Sequence, residues 1–177
     1  KYKKFRLSDK KIIQIINQIK KKNKLVGIVT NSVKRMDFLK KLKIDFYKVL
    51  STDIFNIELI KKIIKTNCKI IFLSTGMVDY KKLKNILNKI NRRKISLIHT
   101  SFKKNKEDIN LKRINILKKK YKLPVSYGNH SRYLKSLVYV KKFNPFAIFF
   151  YVKLNKNLKY PDNIHAIRID KLKNYIY

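Results

Sequence analysis

The chain has 177 residues, of which 45% are hydrophobic and 32% charged, with a formal net charge of +36 and a pI near 10.3. That length and apolar share suit one domain with a packed core and exclude a disordered polyelectrolyte. No apolar run approaches the ~20 residues of a membrane span, and KYKKFRLSDKK at the start has no apolar stretch behind its charges, so neither a membrane segment nor a signal peptide is expected.

Short apolar runs alternate with basic amphipathic segments along the chain. The first helix is expected over SDKKIIQIINQIKKK (8–22), with Ser8 as N-cap and Ile12, Ile15, Ile16 and Ile19 on one face. LVGIVT (25–30) then reads as a strand and SVKRMDFLKKL as a helix. FYKVLS (46–51) precedes NIELIKKIIKT, KIIFLST (69–75) precedes DYKKLKNILNKI, and ISLIHTS (95–101) precedes DINLKRINILKKKY. LPVSYG (123–128) is followed by SRYLKSLVYVKKF, and FAIFFYV (146–152) is the last strand. Each strand candidate is short and rich in Ile, Val, Phe or Tyr.

Six strand–helix units with short connections predict an α/β fold with a parallel sheet buried on both faces. An open doubly wound sheet and part of a (β/α)8 barrel both satisfy that pattern. No G-x-G-x-x-G follows a strand, so a dinucleotide site is not indicated. Polar residues gather just after the strands: Thr30, Lys48 with Ser51, Ser74 with Thr75, His99 with Thr100 and Ser101, and Asn129 with His130. That is the C-terminal edge of a parallel sheet, where such folds place their active sites. Gly76, one of only three glycines, stands at this edge in FLSTGMVDY. It allows either a plain strand-to-helix turn or a close backbone approach to an anion.

Cys68 is the single cysteine, which excludes an internal disulfide and a thiolate metal cluster and points to a reducing cytoplasm. The positive excess is nearly all Lys and is spread along the sequence. Lys, Ile, Asn, Tyr and Phe are enriched together, the set that AT-rich codons favour. A basic nucleic-acid-binding protein is the reading that charge alone suggests, and it ranks last. Neither a helix-turn-helix, a zinc finger nor an aromatic-basic RNA signature is present. No specific nucleic-acid partner is expected.

Four segments, in order, resemble the sialic acid synthase family. YKVLSTDIFN (47–56) is similar to that family's Y-K-I-A-S-x-D-x-x-N, and FLSTGMVDYKKL (72–83) to its L-S-T-G-M followed by a helix. HTSF and EDINL (99–111) resemble its H-C-T-S-x-Y-P and E-D-x-N-L, and LPVSYGNHS (123–131) its L-P-V-G-Y-S-D-H-T. The resemblance implies a (β/α)8 TIM barrel, of which residues 1–177 would supply strands three to eight. The first two strands and a C-terminal antifreeze-like domain would lie outside the chain, together with an active-site glutamate and lysine. The missing initiator Met agrees with a piece of a longer reading frame.

The family condenses phosphoenolpyruvate with an N-acylated mannosamine-type sugar to make nonulosonic acids. By resemblance, Thr30, Lys48, Ser51, Ser74 and Gly76 form the phosphoenolpyruvate side of the site. Ser101, Phe102 and Asp162 fall on the sugar side. His130 matches one of two histidines holding a divalent metal, Mn2+ or Mg2+. Tyr151 stands at the second histidine's position and Phe149 where the family has a glutamate. Asn129 and Gly128 also depart from the pattern. His99 reads as a satisfied structural histidine and His165 as a surface residue. The implied partners are the two small-molecule substrates and, as is common in the family, a second copy in a homodimer. The alternative is a catalytically inactive barrel relative that keeps an anion pocket.

Overall fold

The computed structural model describes residues 7–101, 109–154 and 162–176. Its elements run α1 (Asp9–Lys21), β1 (Gly27–Val29), α2 (Met36–Leu39), β2 (Phe46–Val49), α3 (Ile57–Ile64), β3 (Ile70–Ser74), α4 (Tyr80–Asn88), β4 (Ile95–Ser101), α5 (Arg113–Tyr121), β5 (Val125–Asn129), α6 (Ser136–Tyr139), β6 (Ile148–Phe149), β7 (Val152–Lys153), β8 (Ile167–Arg168) and α7 (Lys173–Ile176).

Strands β1 to β6 form one parallel sheet in sequence order. Sequential order without a reversal excludes the doubly wound alternative, whose strand order switches direction part-way. The sheet also curls. Phe149 on β6 lies 6.3 Å from Phe46 on β2 and 4.8 Å from Phe72 on β3, ring centre to ring centre. Strands four apart in a flat sheet would stand ~19 Å from one another. The fold is therefore a partial barrel, with β1 and β6 unpaired to each other.

Strand alternation divides the side chains between two faces. Tyr47, Val49, Ile71, Leu73, Ile95, Leu97, Val125 and Tyr127 join the main core with Leu59, Ile60 and Ile63 of α3, Leu83 and Leu87 of α4, and Ile114 and Leu117 of α5. The opposite, concave face carries Phe46, Lys48, Phe72, Ser74, Ser96, Ile98, Thr100, Ser126, Gly128 and Phe149. Gly27 and Gly128 permit this crowding. A Cβ on Gly27 would fall 1.9 Å from the Phe46 ring, and one on Gly128 would fall 3.0 Å from both Ile98 and Thr100.

Side-chain caps mark the helices that match expectation. Ser8, Asn56 and Asp79 each accept a backbone N–H, from Lys11, Leu59 and Lys82 respectively. The helices expected after the first and fifth strands are shorter. α2 and α6 have four residues each and no side-chain cap bond, and a 3-10 turn, Val140–Phe143, follows α6. FAIFFYV is not one strand. Its ladder with β5 ends at Phe149, and Val152–Lys153 pairs instead with Ile167–Arg168 in a separate two-stranded sheet.

Candidate active site

The strand ends bring the expected residues to one edge of the sheet. Thr30 follows β1, Lys48 lies in β2 with Ser51 just past it, and Ser74 closes β3 with Gly76 beyond. Ser101 closes β4, His130 follows β5 and Tyr151 follows β6. Phe102 lies outside the described residues.

Lys48 is 9% exposed, on the concave face. Its Nζ sits over the Phe149 ring, 5.4 Å from the centre. Among the described residues no hydrogen bond or ion pair reaches this ammonium, and burial pushes its pKa down, partly opposed by the carboxylate of Asp162. A buried cation held by an aromatic face, with a carboxylate that acts on it but forms no ion pair, remains short of counter-charge. A cavity of about 250 Å³ opens beside it, with Phe46, Leu50, Asn129, His130, Phe149 and Tyr151 in its wall.

Small hydroxyls extend this edge. Ser74 is 2% exposed and its Oγ has no hydrogen-bond partner, and neither has the buried Thr100 Oγ1. Buried hydroxyls normally find partners, so these two stand out. Ser51 Oγ accepts the Gly76 N–H at 3.2 Å, and Thr30 Oγ1 accepts the Ser32 N–H at 3.3 Å. Thr75 is structural, donating its hydroxyl to the Ile98 carbonyl at 3.0 Å. Gly76 does not adopt the left-handed backbone that favours glycine, since no glycine here has positive φ. The strand-to-helix turn therefore places no left-handed demand on this glycine, whose backbone N–H is donated to Ser51 Oγ.

His130 forms a second cluster. Its ring centre lies 5.3 Å from Tyr151 and 5.3 Å from His165, while Tyr151 and His165 are 4.9 Å apart. His165 is thus not the surface residue expected. It is 7% exposed, since β8 pairs with β7 and His165, two residues before β8, packs against the His130 and Tyr151 rings. Asp162 also arrives here, with Oδ1 at 3.5 Å from His165 Nε2 and a left-handed φ of 61°. Burial, then the Lys48 charge, then His165 depress the His130 pKa to about 4. Burial likewise lowers His165 and raises Tyr151, so the imidazoles are neutral and the phenol protonated at neutral pH.

His99 is partly satisfied. Its Nε2–H donates to the Ile109 carbonyl at 2.8 Å, whereas its buried Nδ1 has no partner. A larger cavity of about 870 Å³ lies at the opposite, N-terminal end of β3 to β5. Its charged lining is wholly basic, including Lys69, Arg92, Arg93 and Lys122, so the fold gathers in one place some of the charge that the sequence spreads out.

Comparison with known proteins agrees with this architecture. The profile of the NeuB family matches residues 1–177. N,N'-diacetyllegionaminic acid synthase of Campylobacter jejuni is 32% identical over 145 residues, covering 78% of this chain and 43% of the relative. The chain belongs to the NeuB family. An uncharacterized protein of Methanocaldococcus jannaschii is also 32% identical, over 78% of this chain and 42% of that protein. The N-acetylneuraminic acid synthetase of Leptospira borgpetersenii, solved with citrate, superposes with a TM-score of 0.87 at 22% identity, over 96% of this chain and 60% of that one. The spore coat polysaccharide biosynthesis protein spsE of Bacillus subtilis gives 0.83 at 18% identity, over 96% and 52%. This NeuB-family chain spans less than half the length of the curated relatives it matches.

The metal expected of the family finds a partial fit. Tyr151, protonated and apolar in setting, is a poor cation ligand, and Phe149 offers no donor. Among the described residues no group of three His, Cys, Asp or Glu side chains is assembled to hold a metal ion. Two neutral imidazoles, His130 and His165, do lie with ring centres 5.3 Å apart. Sequence reasoning missed His165, and its one local signal was the Asp162-x-x-His165 spacing. No helix among the described residues is long and apolar enough to cross a membrane.

Proposed function

We propose that this chain forms the phosphoenolpyruvate-binding wall of a nonulosonic acid synthase. The observation that carries the reading is the buried, counter-charge-poor Lys48 at the same sheet edge as the partnerless hydroxyl of Ser74. A phosphate or carboxylate supplies what both lack: negative charge for the ammonium and an acceptor for the hydroxyl. The hydroxyl protons of Ser51, whose oxygen accepts the Gly76 N–H, and of Thr30 add small donors around the same anion. Ser101 and Asp162 are assigned to the sugar side in this reading, as is Phe102, which lies outside the described residues.

In the complete reaction, C3 of phosphoenolpyruvate attacks the aldehyde carbon of an open-chain N-acylated mannosamine-type sugar. Water adds to C2, inorganic phosphate leaves, and a nine-carbon 2-keto acid results. The contribution of Lys48, Ser51 and Ser74 is to fix the enolpyruvate and neutralise its charge. His130 belongs to the metal side, where a divalent cation would polarise the sugar carbonyl. A cytoplasmic homodimer completes the proposal, since its phosphorylated substrate is a cytoplasmic metabolite.

Calorimetric titration with phosphoenolpyruvate tests the anion site, with a saturable, one-to-one isotherm expected. Phosphate release from phosphoenolpyruvate plus N-acetylmannosamine, with and without Mn2+, tests the chemistry. The second reading, an inactive relative, is favoured by Phe149 lying against Lys48. It predicts binding without phosphate release. No binding at millimolar phosphoenolpyruvate would remove both.

A further inference from the structure

The cavity of about 870 Å³ at the N-terminal end of β3 to β5 takes no part in the reading above. Its wall carries Lys69, Lys84, Arg92, Arg93, Lys120 and Lys122 and no acidic residue. Lys94 also lines it, but its Nζ donates to the Thr66 carbonyl at 2.9 Å, and Lys120 Nζ leans on the Tyr80 ring, 5.4 Å from the centre. The side chains of Lys69, Lys84, Arg92, Arg93 and Lys122 make no ion pair or hydrogen bond among the described residues. Three observations separate this cluster from the general lysine surplus. Arginine does not share the enrichment, with seven residues in the chain, yet two stand side by side here. Acidic residues of the strand–helix units gather at the opposite edge: Asp9, Asp37 and Glu58 lie in first turns of helices, Asp53 follows β2 and Asp79 caps α4. Asp45, which precedes β2, is bound by Lys20 and by the Val26 N–H at 2.7 Å. Helix dipoles do not account for the cluster either. The C-terminal ends of α4 and α5 together supply about one negative charge, and α4 has no basic residue in its last turn.

We propose that this cavity binds a small oligophosphate, an anion with at least three linked phosphates. Its volume is that of a small-molecule site rather than of an extended groove. Linked phosphates concentrate negative charge in one place, as the cations here are concentrated around one concavity. The planar forks of Arg92 and Arg93 suit paired bonds to phosphate oxygens, and the flexible ammonium groups of Lys69, Lys84 and Lys122 add point charges around them. A single-stranded nucleic acid would call for exposed aromatic rings on which bases stack. The one ring in this wall is Tyr121, which is 8% exposed and donates its hydroxyl to the Tyr80 carbonyl at 2.8 Å. A nucleoside triphosphate and a short inorganic polyphosphate share the chemistry that the cavity recognises. The site is independent of the phosphoenolpyruvate reading, because Lys48 and Ser74 point into the concave face toward the other end of the strands.

The test uses the whole chain and inorganic tripolyphosphate, at about 0.15 M salt, where charges more than ~8 Å away are screened. Calorimetry should give a saturable, one-to-one isotherm. Replacing both arginines, Arg92→Gln with Arg93→Gln, should weaken binding by about tenfold or more. Lys10→Gln with Lys11→Gln removes the same charge from the first turn of α1, outside the cavity, and should leave affinity within about twofold. In NMR spectra of the wild-type protein, tripolyphosphate should shift the backbone amides of Lys94, Ile95, Lys122 and Leu123 and spare those of Lys48 and Gly76. That pattern decides the matter even if a variant fails to fold. Tighter binding of ATP than of tripolyphosphate at the same amides would support the site with a nucleotide as its source, and weaker binding would support it with an inorganic chain. Equal losses in the two double variants, shifts elsewhere, or no saturable binding would each overturn the proposal. So would a short single-stranded DNA that binds these amides more tightly than either phosphate, which would make the face a nucleic-acid surface. Lys48→Met should keep tripolyphosphate binding. Loss of phosphoenolpyruvate binding with tripolyphosphate binding intact concerns the Lys48 site alone, and the reverse result would sink this inference alone.

Discussion

Lys48 Nζ rests 5.4 Å from the centre of the Phe149 ring, joining β2 to β6 across the concave face. The ring occupies the position at which the family resemblance places a carboxylate. It stabilises the cation more weakly than an ion pair would and leaves its charge available to a ligand. Lys48→Met should therefore abolish phosphoenolpyruvate binding in calorimetry while leaving the melting temperature unchanged or raised, because a poorly compensated buried charge is removed. A variant that binds as tightly as wild type would disprove the role of Lys48.

Ser74 makes the same trade on a smaller scale. A buried hydroxyl without a partner costs about 1–3 kcal/mol of desolvation. Ser74→Ala should recover part of that cost, so thermal unfolding should shift upward by a few degrees or not at all. Phosphoenolpyruvate affinity should fall in the same protein. A lower melting temperature with intact affinity would mean that the hydroxyl is structural.

The six strands were legible because each is a short run rich in Ile, Val, Phe or Tyr, and the site edge was legible because polar residues gather at the ends of those strands. Lys48 could not be singled out among so many lysines by composition; only the resemblance around Tyr47–Ser51 picked it out. The break between β6 and β7 was hidden, since FAIFFYV is continuously apolar while the ladder that ends at Phe149 is set by β5. The short α2 and α6 were missed because apolar periodicity cannot report a missing cap. His165 was missed for a deeper reason. Its burial depends on β8 pairing with β7 and on ring contacts with His130 and Tyr151, which the Asp162-x-x-His165 spacing does not specify.

Gly27 offers a test of the curl. The Phe46 ring lies where a Cβ at position 27 would be, at 1.9 to 2.5 Å. Gly27→Ala should destabilise the fold by about 1–3 kcal/mol through overpacking. Adding Phe46→Leu should recover part of the loss, because the clash is with that ring. Chemical denaturation of the two single variants and the double variant gives the coupling energy. Strict additivity would show that Phe46 does not sit over Gly27.

His99 makes stability depend on pH. Burial first, and then the nearby Arg113, lower its pKa, against the opposing hydrogen bond from its ring to the Ile109 carbonyl. The unfolded chain binds a proton at His99 near pH ~6.5. Above that pH the imidazole is neutral in both states and contributes no slope. As pH falls through that value the unfolded state takes up a proton that the folded state refuses, so unfolding becomes easier. The stabilisation is thus complete above about pH 6.5 and is lost progressively as pH falls toward the depressed folded value. His130 and His165 shift in the same direction, so the share of His99 is read by difference. Urea denaturation between pH 5 and pH 8 should show stability falling toward the acid end, and His99→Gln, which keeps a donor for the Ile109 carbonyl, should make that fall shallower. Equal slopes in the two proteins would show that His99 titrates alike in the folded and unfolded chain, against its burial beside β5.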